Sequence, residues 1–328
     1  MAYRTPTALL AVAGLLAAAA VGPQSASGAA GSLVKGSYTG PDGTLSYEVY
    51  VPSGYVAERR VPLIVALHGC SENAEQFRQV TRFDELAEAK NAIVVFPDKS
   101  SYADSTSCWN WFKTSHMQRG TGEPALIAGV VDKVRQNYAI DDRRIYATGL
   151  SAGGAMASVM SATYPDVFAA AGVGSGCEYA AGASCAGYRG IDPEDAGQRA
   201  YQAMGTQARE VPVIVFQGDQ DKTVPEVNAE QLVQQWQATD DWADDGARNS
   251  TIPADPVKVK DPAPSGGGHT YTVRDYADGQ GNELIQFWVV HGMGHAWSGG
   301  CDCEAYADTN GPNESAAMYA FFMSHPRL

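Results

Sequence analysis

The run Gly149-Leu150-Ser151-Ala152-Gly153 constrains this chain more than any other stretch, because of what flanks it. Arg144 to Thr148 reads as a short buried strand, and Gly154 to Met160 as a helix of small and apolar residues. A serine on a sharp turn between strand and helix has its hydroxyl lifted clear of the sheet, above a helix N-terminus that favours negative charge. Such a turn demands small neighbours, since strand and helix backbones crowd together at it. The five-residue pattern alone is weak. Its strand–turn–helix setting makes Ser151 a candidate nucleophile.

The rest of the chain has the same alternating character. Leu45 to Pro52 reads as an early, half-exposed strand, and Val61 to Leu67 as an apolar run typical of a strand buried on both faces. A helix follows from Gln76 to Lys90, with Phe77, Val80, Phe83, Leu86 and Ala87 on one side. Further strands are expected at Ala92 to Phe96, Val167 to Val173, Val211 to Phe216 and Leu284 to Val290. Further helices are expected at Pro124 to Tyr138, at Val227 to Trp236 and from about Glu314. Asp240 to Gly268, rich in Asp, Pro and Gly, reads as a surface excursion. Strands alternating with helices imply an α/β fold, a mainly parallel sheet with helices on both faces.

A serine hydroxyl needs a base to take its proton, and the base needs an acid to orient it. In this architecture the partners follow in the order Ser, acid, His, each beyond the carboxyl end of a later strand. Past Val211 to Phe216 stand Asp219 and Asp221; Asp221 is the expected acid and Asp219 a turn-former. Past Leu284 to Val290 stand His291 and His295. His291 directly abuts the strand and is expected to brace structure, whereas glycines around His295 let a loop carry its ring over the sheet edge. The oxyanion of a tetrahedral intermediate needs backbone N–H donors, assigned to Ala152 and to Cys70 in Leu67-His68-Gly69-Cys70. Trp109, Asn110, Trp111 and Trp297 are expected at a substrate-binding surface, beside Phe112. The scheme calls for neither metal nor cofactor.

Residues 1–30 carry Arg4, an apolar core from Ala8 to Val21 and small residues at Ser25-Ala26-Ser27, the pattern of a secretory signal. Export is therefore expected, with residues 31–328 as one catalytic domain, since no linker, repeat or low-complexity tract divides them. A formal charge of −14 without any Lys/Arg cluster argues against nucleic acid and anionic membranes as partners and suits a neutral substrate. The oligomeric state is not legible. Six cysteines suit an oxidising compartment but allow fifteen pairings. Cys177 and Cys185 bracket a Gly/Ala-rich loop, and Cys70 and Cys108 lie in segments that converge at the active-site rim on this fold. Cys301 and Cys303 stay unassigned, a bridge across one residue being strained.

Five separated segments resemble one family. They are Leu67-His68-Gly69-Cys70, Cys108-Trp109-Asn110-Trp111-Phe112, Gly122 to Ile127, Gly149 to Gly154, and Gly294-His295-Ala296-Trp297-Ser298-Gly299. They look like the poly(3-hydroxybutyrate) depolymerase family of α/β-hydrolase esterases, which also holds feruloyl and acetyl-xylan esterases. The resemblance implies a Ser-Asp-His esterase acting on a polymeric or aryl/acyl ester, and a Cys70–Cys108 bridge at the oxyanion loop. Gln217-Gly218 stands where family members often carry His-Gly, and Cys301-Asp302-Cys303 has no counterpart in the pattern. A catalytically inactive hydrolase-fold binding protein is the reading from a different class; all three filled triad positions argue against it.

Overall fold

A computed structural model describes residues 1–2, 31–99, 106–263 and 267–328, so the expected signal segment lies, from residue 3 to residue 30, outside the described residues. Ten strands form one sheet: β1 (Ser32–Gly40), β2 (Gly43–Val51), β3 (Val61–Leu67), β4 (Ile93–Asp98), β5 (Ile140–Leu150), β6 (Ala170–Gly174), β7 (Val213–Gly218), β8 (Lys258–Lys260), β9 (Tyr271–Ala277) and β10 (Glu283–Val290). Their spatial order is β1-β2-β4-β3-β5-β6-β7-β10-β9-β8. The six central strands from β4 to β10 run parallel, and antiparallel strands close both edges.

Every residue of β3 is buried, as its unbroken apolar run requires. Leu63, Val65 and Leu67 join the core beneath α3 (Gly122–Asn137), α4 (Ala152–Thr163), α5 (Pro193–Met204) and α6 (Glu226–Asp245). Ile64 and Ala66 point the other way, to α1 (Ala74–Thr81), α2 (Phe83–Lys90) and α7 (Glu314–Ser324). Each buried Val, Leu or Ile contributes about 1.5–3 kcal/mol relative to an exposed one. Because the central strands are parallel, the segments after β3, β5, β7 and β10 all leave from one edge of the sheet.

The expected 76–90 helix is two helices, broken at Arg82, whose φ is 53°. The break has an external cause. The Val80 carbonyl accepts the Cys301 N–H at 3.2 Å, the Thr81 carbonyl accepts the Ser315 hydroxyl at 2.6 Å, and Thr81 Oγ1 donates back to the Phe77 carbonyl. The 240–268 excursion is more ordered than its composition suggests. Helix α6 runs on to Asp245, and buried Asp241 accepts the N–H groups of Asn249, Ser250 and Ile252 while pairing with Arg248 at 2.8 Å. Strands β1 and β9 and helix α5 are elements the hydrophobic pattern did not disclose.

Candidate active site

Ser151 sits between β5 and α4 with φ 57° and ψ −120°, its N–H held by the Gly174 carbonyl at 2.8 Å. Non-glycine residues rarely adopt a positive φ, and the crowding around the turn shows what imposes it. A Cβ on Gly153 would run into the Leu67 carbonyl, and one on Gly149 into the Gly153 backbone. Ala152 begins α4, where N–H groups have no partner within the helix.

The segment after β7 separates the two candidate acids. Asp221 Oδ2 accepts from His295 Nδ1 at 2.7 Å, and Asp221 Oδ1 accepts the Thr223 and Val224 N–H groups at 2.8 and 2.9 Å. Burial acts to raise the Asp221 pKa, but His295 and the two backbone donors outweigh it and hold the carboxyl below its ordinary range. Asp219 instead bonds His291 Nδ1 at 3.0 Å and the Gly292 N–H at 2.8 Å. His291 is held on its other nitrogen by Thr272, also at 3.0 Å. Asp219 and His291 thus brace the loop, and Asp221 is the carboxylate that pairs with His295.

Ser151 and His295 line one pocket of about 190 Å³ with Cys70, Glu72, Trp111 and Tyr306 among its walls. Within the turn after β3 the Gly69 N–H goes to Glu72 and the Ser71 N–H to the Thr106 carbonyl at 2.7 Å. Between them, the Cys70 N–H has no hydrogen-bond partner among the described residues. His68 lies beneath, fully buried, its Nε2 accepting the Lys99 N–H at 3.1 Å; burial pushes its pKa down and keeps the ring neutral. Disulfides join Cys70 to Cys108, Cys177 to Cys185, and Cys301 to Cys303. The last corrects the objection to a bridge across one residue: the turn at Asp302 brings the Cα atoms to 5.3 Å, within ordinary disulfide range.

The aromatic expectations need correcting too. Trp109 is 0 % exposed, its indole N–H donating to the His68 carbonyl at 3.0 Å. Trp297 is equally buried between Phe77 and Phe83, donating to Ser315 Oγ. The Asn110 side chain is spent on Glu123 at 2.7 Å. None of the three lines the pocket; of the four predicted, only Trp111 does, with Phe112 edge-on against it and partly exposed. Sequence reasoning missed Glu72 and Tyr306. The Tyr306 ring stands 6.2 Å from that of His295, edge to face. Two short strands, β11 (Trp297–Ser298) and β12 (Ala307–Asp308), pair and set it there. Among the described residues no cluster of His, Cys, Asp and Glu could hold a metal ion, and no helix is long and apolar enough to cross a membrane.

Comparison with known proteins bears on the family and the fold. Over 261 residues the chain is 32% identical to poly(3-hydroxyalkanoate) depolymerase C of Paucimonas lemoignei, covering 77% of this chain and 58% of that protein. It is 31% identical to acetylxylan esterase A of Emericella nidulans, over 58% of this chain and 66% of the relative. The chain therefore spans less than two thirds of either relative's length. Among solved structures, an acetyl xylan esterase from Aspergillus awamori matches with TM-score 0.68 and 25% identity, over 81% of this chain and 94% of that one. A feruloyl esterase module from Clostridium thermocellum shares the fold at TM-score 0.53 and 20% identity, over 81% and 82%. The fold is that of the α/β-hydrolase esterases. The family profile described as Esterase PHB depolymerase matches residues 45–257, a span that takes in Cys70, Ser151 and Asp221 and ends before His295. By that match the chain belongs to the PHB depolymerase esterase family.

Proposed function

We propose that this chain is a secreted serine carboxylic ester hydrolase working through an acyl-enzyme, with residues 31–328 as its catalytic domain. The observation that carries the reading is the Asp221–His295 hydrogen bond of 2.7 Å in the pocket that Ser151 lines from its elbow. Asp221 occupies Nδ1 of His295, so Nε2 is the nitrogen left to take the Ser151 proton as Oγ attacks the ester carbonyl. The oxyanion then accepts from the Cys70 and Ala152 N–H groups. His295 returns its proton to the departing alcohol, and water repeats the sequence to release the acid and restore Ser151. Removing one oxyanion donor would cost about 3–4 kcal/mol of transition-state stabilisation. Three disulfides support export, since such bonds persist in oxidising compartments.

For the substrate we favour a polyester of the poly(3-hydroxybutyrate) type, because the depolymerase relative covers more of this chain than the acetylxylan esterase does. A second reading, an acetyl ester of xylan, has its own support. The similar acetyl xylan esterase structure is covered almost end to end, and Trp109 and Trp297 are withdrawn from the surface a polyester chain would lie on. Parallel assays decide: clearing of poly(3-hydroxybutyrate) films, acetate release from acetylated xylan and hydrolysis of methyl ferulate. Ser151→Ala should abolish whichever is found and leave the fold intact. More than about a thousandth of the wild-type rate in that variant would exclude Ser151 as nucleophile.

A further inference from the structure

Glu72 is the one carboxylate in the lining of the Ser151 pocket among the described residues. It stands three positions past Gly69 in the turn after β3, and its Oε2 accepts the Gly69 N–H at 2.8 Å. Its Oε1 has no hydrogen-bond partner, although the residue is only 5 % exposed. A Cβ built on Gly69 would lie 2.8 Å from that Oε2 and 3.6 Å from the Ser151 Cβ. A single glycine therefore separates a buried carboxyl from the nucleophile. By holding the Gly69 N–H, Glu72 also fixes the backbone next to the Cys70 N–H.

The surroundings disfavour charge on this group. Burial pushes the Glu72 carboxyl up to about 7; the Gly69 N–H opposes the rise, and the Glu304 carboxylate on the segment after His295 adds to it. On the side away from the pocket, Glu75 of α1, Glu48 of β2 and Asp98 of β4 share a hollow with Glu72. The cations of that hollow pair with other carboxylates, Lys35 with Glu48 at 2.8 Å and Lys99 with Glu123 at 2.6 Å. On the pocket side stand His295 and Tyr306.

We propose that Glu72 is a positioning residue of the oxyanion turn, supporting hydrolysis when neutral and opposing it when ionised. Either form accepts the Gly69 N–H and so places the Cys70 donor. The ionised form also sets a negative charge beside the site where the ester oxygen becomes an anion. At an effective dielectric of about 20, a unit charge so close slows that step on the order of ten- to a hundredfold. The inference rests on the assignment of Ser151 and of the Cys70 donor above. It predicts a rate that rises as His295 loses its proton and falls again as Glu72 loses its own.

The test is kcat/KM for p-nitrophenyl butyrate from pH 5 to 9, with enzyme-free hydrolysis subtracted. The wild type should fall at least tenfold from its maximum to a lower alkaline plateau. Glu72→Gln, which keeps an acceptor for Gly69 but carries no charge, should stay flat to pH 9 with the acid limb unmoved. Glu72→Ala, which loses the acceptor, should be slow at every pH and Gln should rescue it. Glu304→Gln serves where Glu72 variants do not fold: with that repulsion gone, the alkaline fall should begin at lower pH. An unchanged alkaline limb in Glu72→Gln, an unmoved one in Glu304→Gln, or none in the wild type would overturn the proposal. Activity surviving in Ser151→Ala would instead overturn the nucleophile assignment beneath it.

Discussion

Replacing Asp221 by Asn tests the catalytic reading at the point where geometry makes the outcome sharpest. The substituted amide has one oxygen and one NH2, and the surroundings decide which faces His295. The Thr223 and Val224 N–H groups both donate to Oδ1, at 2.8 and 2.9 Å, and so fix the remaining oxygen there. The NH2 is left facing His295 Nδ1, where a carboxylate oxygen now accepts at 2.7 Å. As a donor it binds the tautomer that carries its proton on Nε2, and that nitrogen can no longer accept from Ser151. Gln217 Nε2 donates to Oδ2 at 3.3 Å and favours oxygen on that side, but this one longer bond is outweighed by the two short ones on Oδ1. Loss of tautomer and charge together should lower kcat about 10⁴-fold, about 5.5 kcal/mol, with KM little changed. Asp219→Asn should cost only a few-fold, since its oxygen keeps the Gly292 N–H and His291 can change tautomer. The assay is p-nitrophenyl butyrate kinetics at pH 7.5 beside thermal melts of each variant. Asp221→Asn within tenfold of the wild type, with a native melt, would refute the reasoning.

Cys108→Ser should lower kcat ten- to a hundredfold, because about 1 Å of drift in the Cys70 N–H forfeits much of its preorganised benefit. The lost bridge should also cost up to about 4 kcal/mol of stability by chain entropy over its separation of 38 residues. Unchanged turnover would show that the turn is held by other contacts. Glu314 is wholly buried beside Trp297, Oε2 accepting the Ser298 N–H at 2.9 Å and Oε1 unpartnered; burial raises its pKa well above the ordinary carboxylate range. Its folded form keeps a proton that the unfolded chain loses near pH ~4.3, so stability should decline as pH rises above that value. Glu314→Gln should flatten the decline in melts between pH 4 and 8, and parallel curves for the two proteins would refute the assignment.

What the sequence made legible was the path of the backbone. Strands buried on both faces announce themselves as apolar runs, and the order Ser151, Asp221, His295 follows from the parallel sheet that those runs imply. Side-chain direction is another matter. Trp297 stands two residues past His295, and adjacency along the chain suggested a shared surface. Residues an even step apart need not share one in a loop, and here Ser298 hydrogen-bonds Glu314 and the Pro312 carbonyl, turning the indole inward onto Phe77 and Phe83. The wall that Trp297 vacates is filled by Tyr306, brought back by the pairing of β11 with β12, and no periodicity marks a two-residue strand. The same contacts break the 76–90 helix, since the Val80 and Thr81 carbonyls are bound by Cys301 and Ser315. One long-range packing arrangement thus accounts for the misplaced tryptophan, the missed tyrosine and the broken helix. It also bears on the pocket: the loop bearing His295 is anchored to α1 and α7, so those helices help hold the His295 ring in the wall it shares with Ser151.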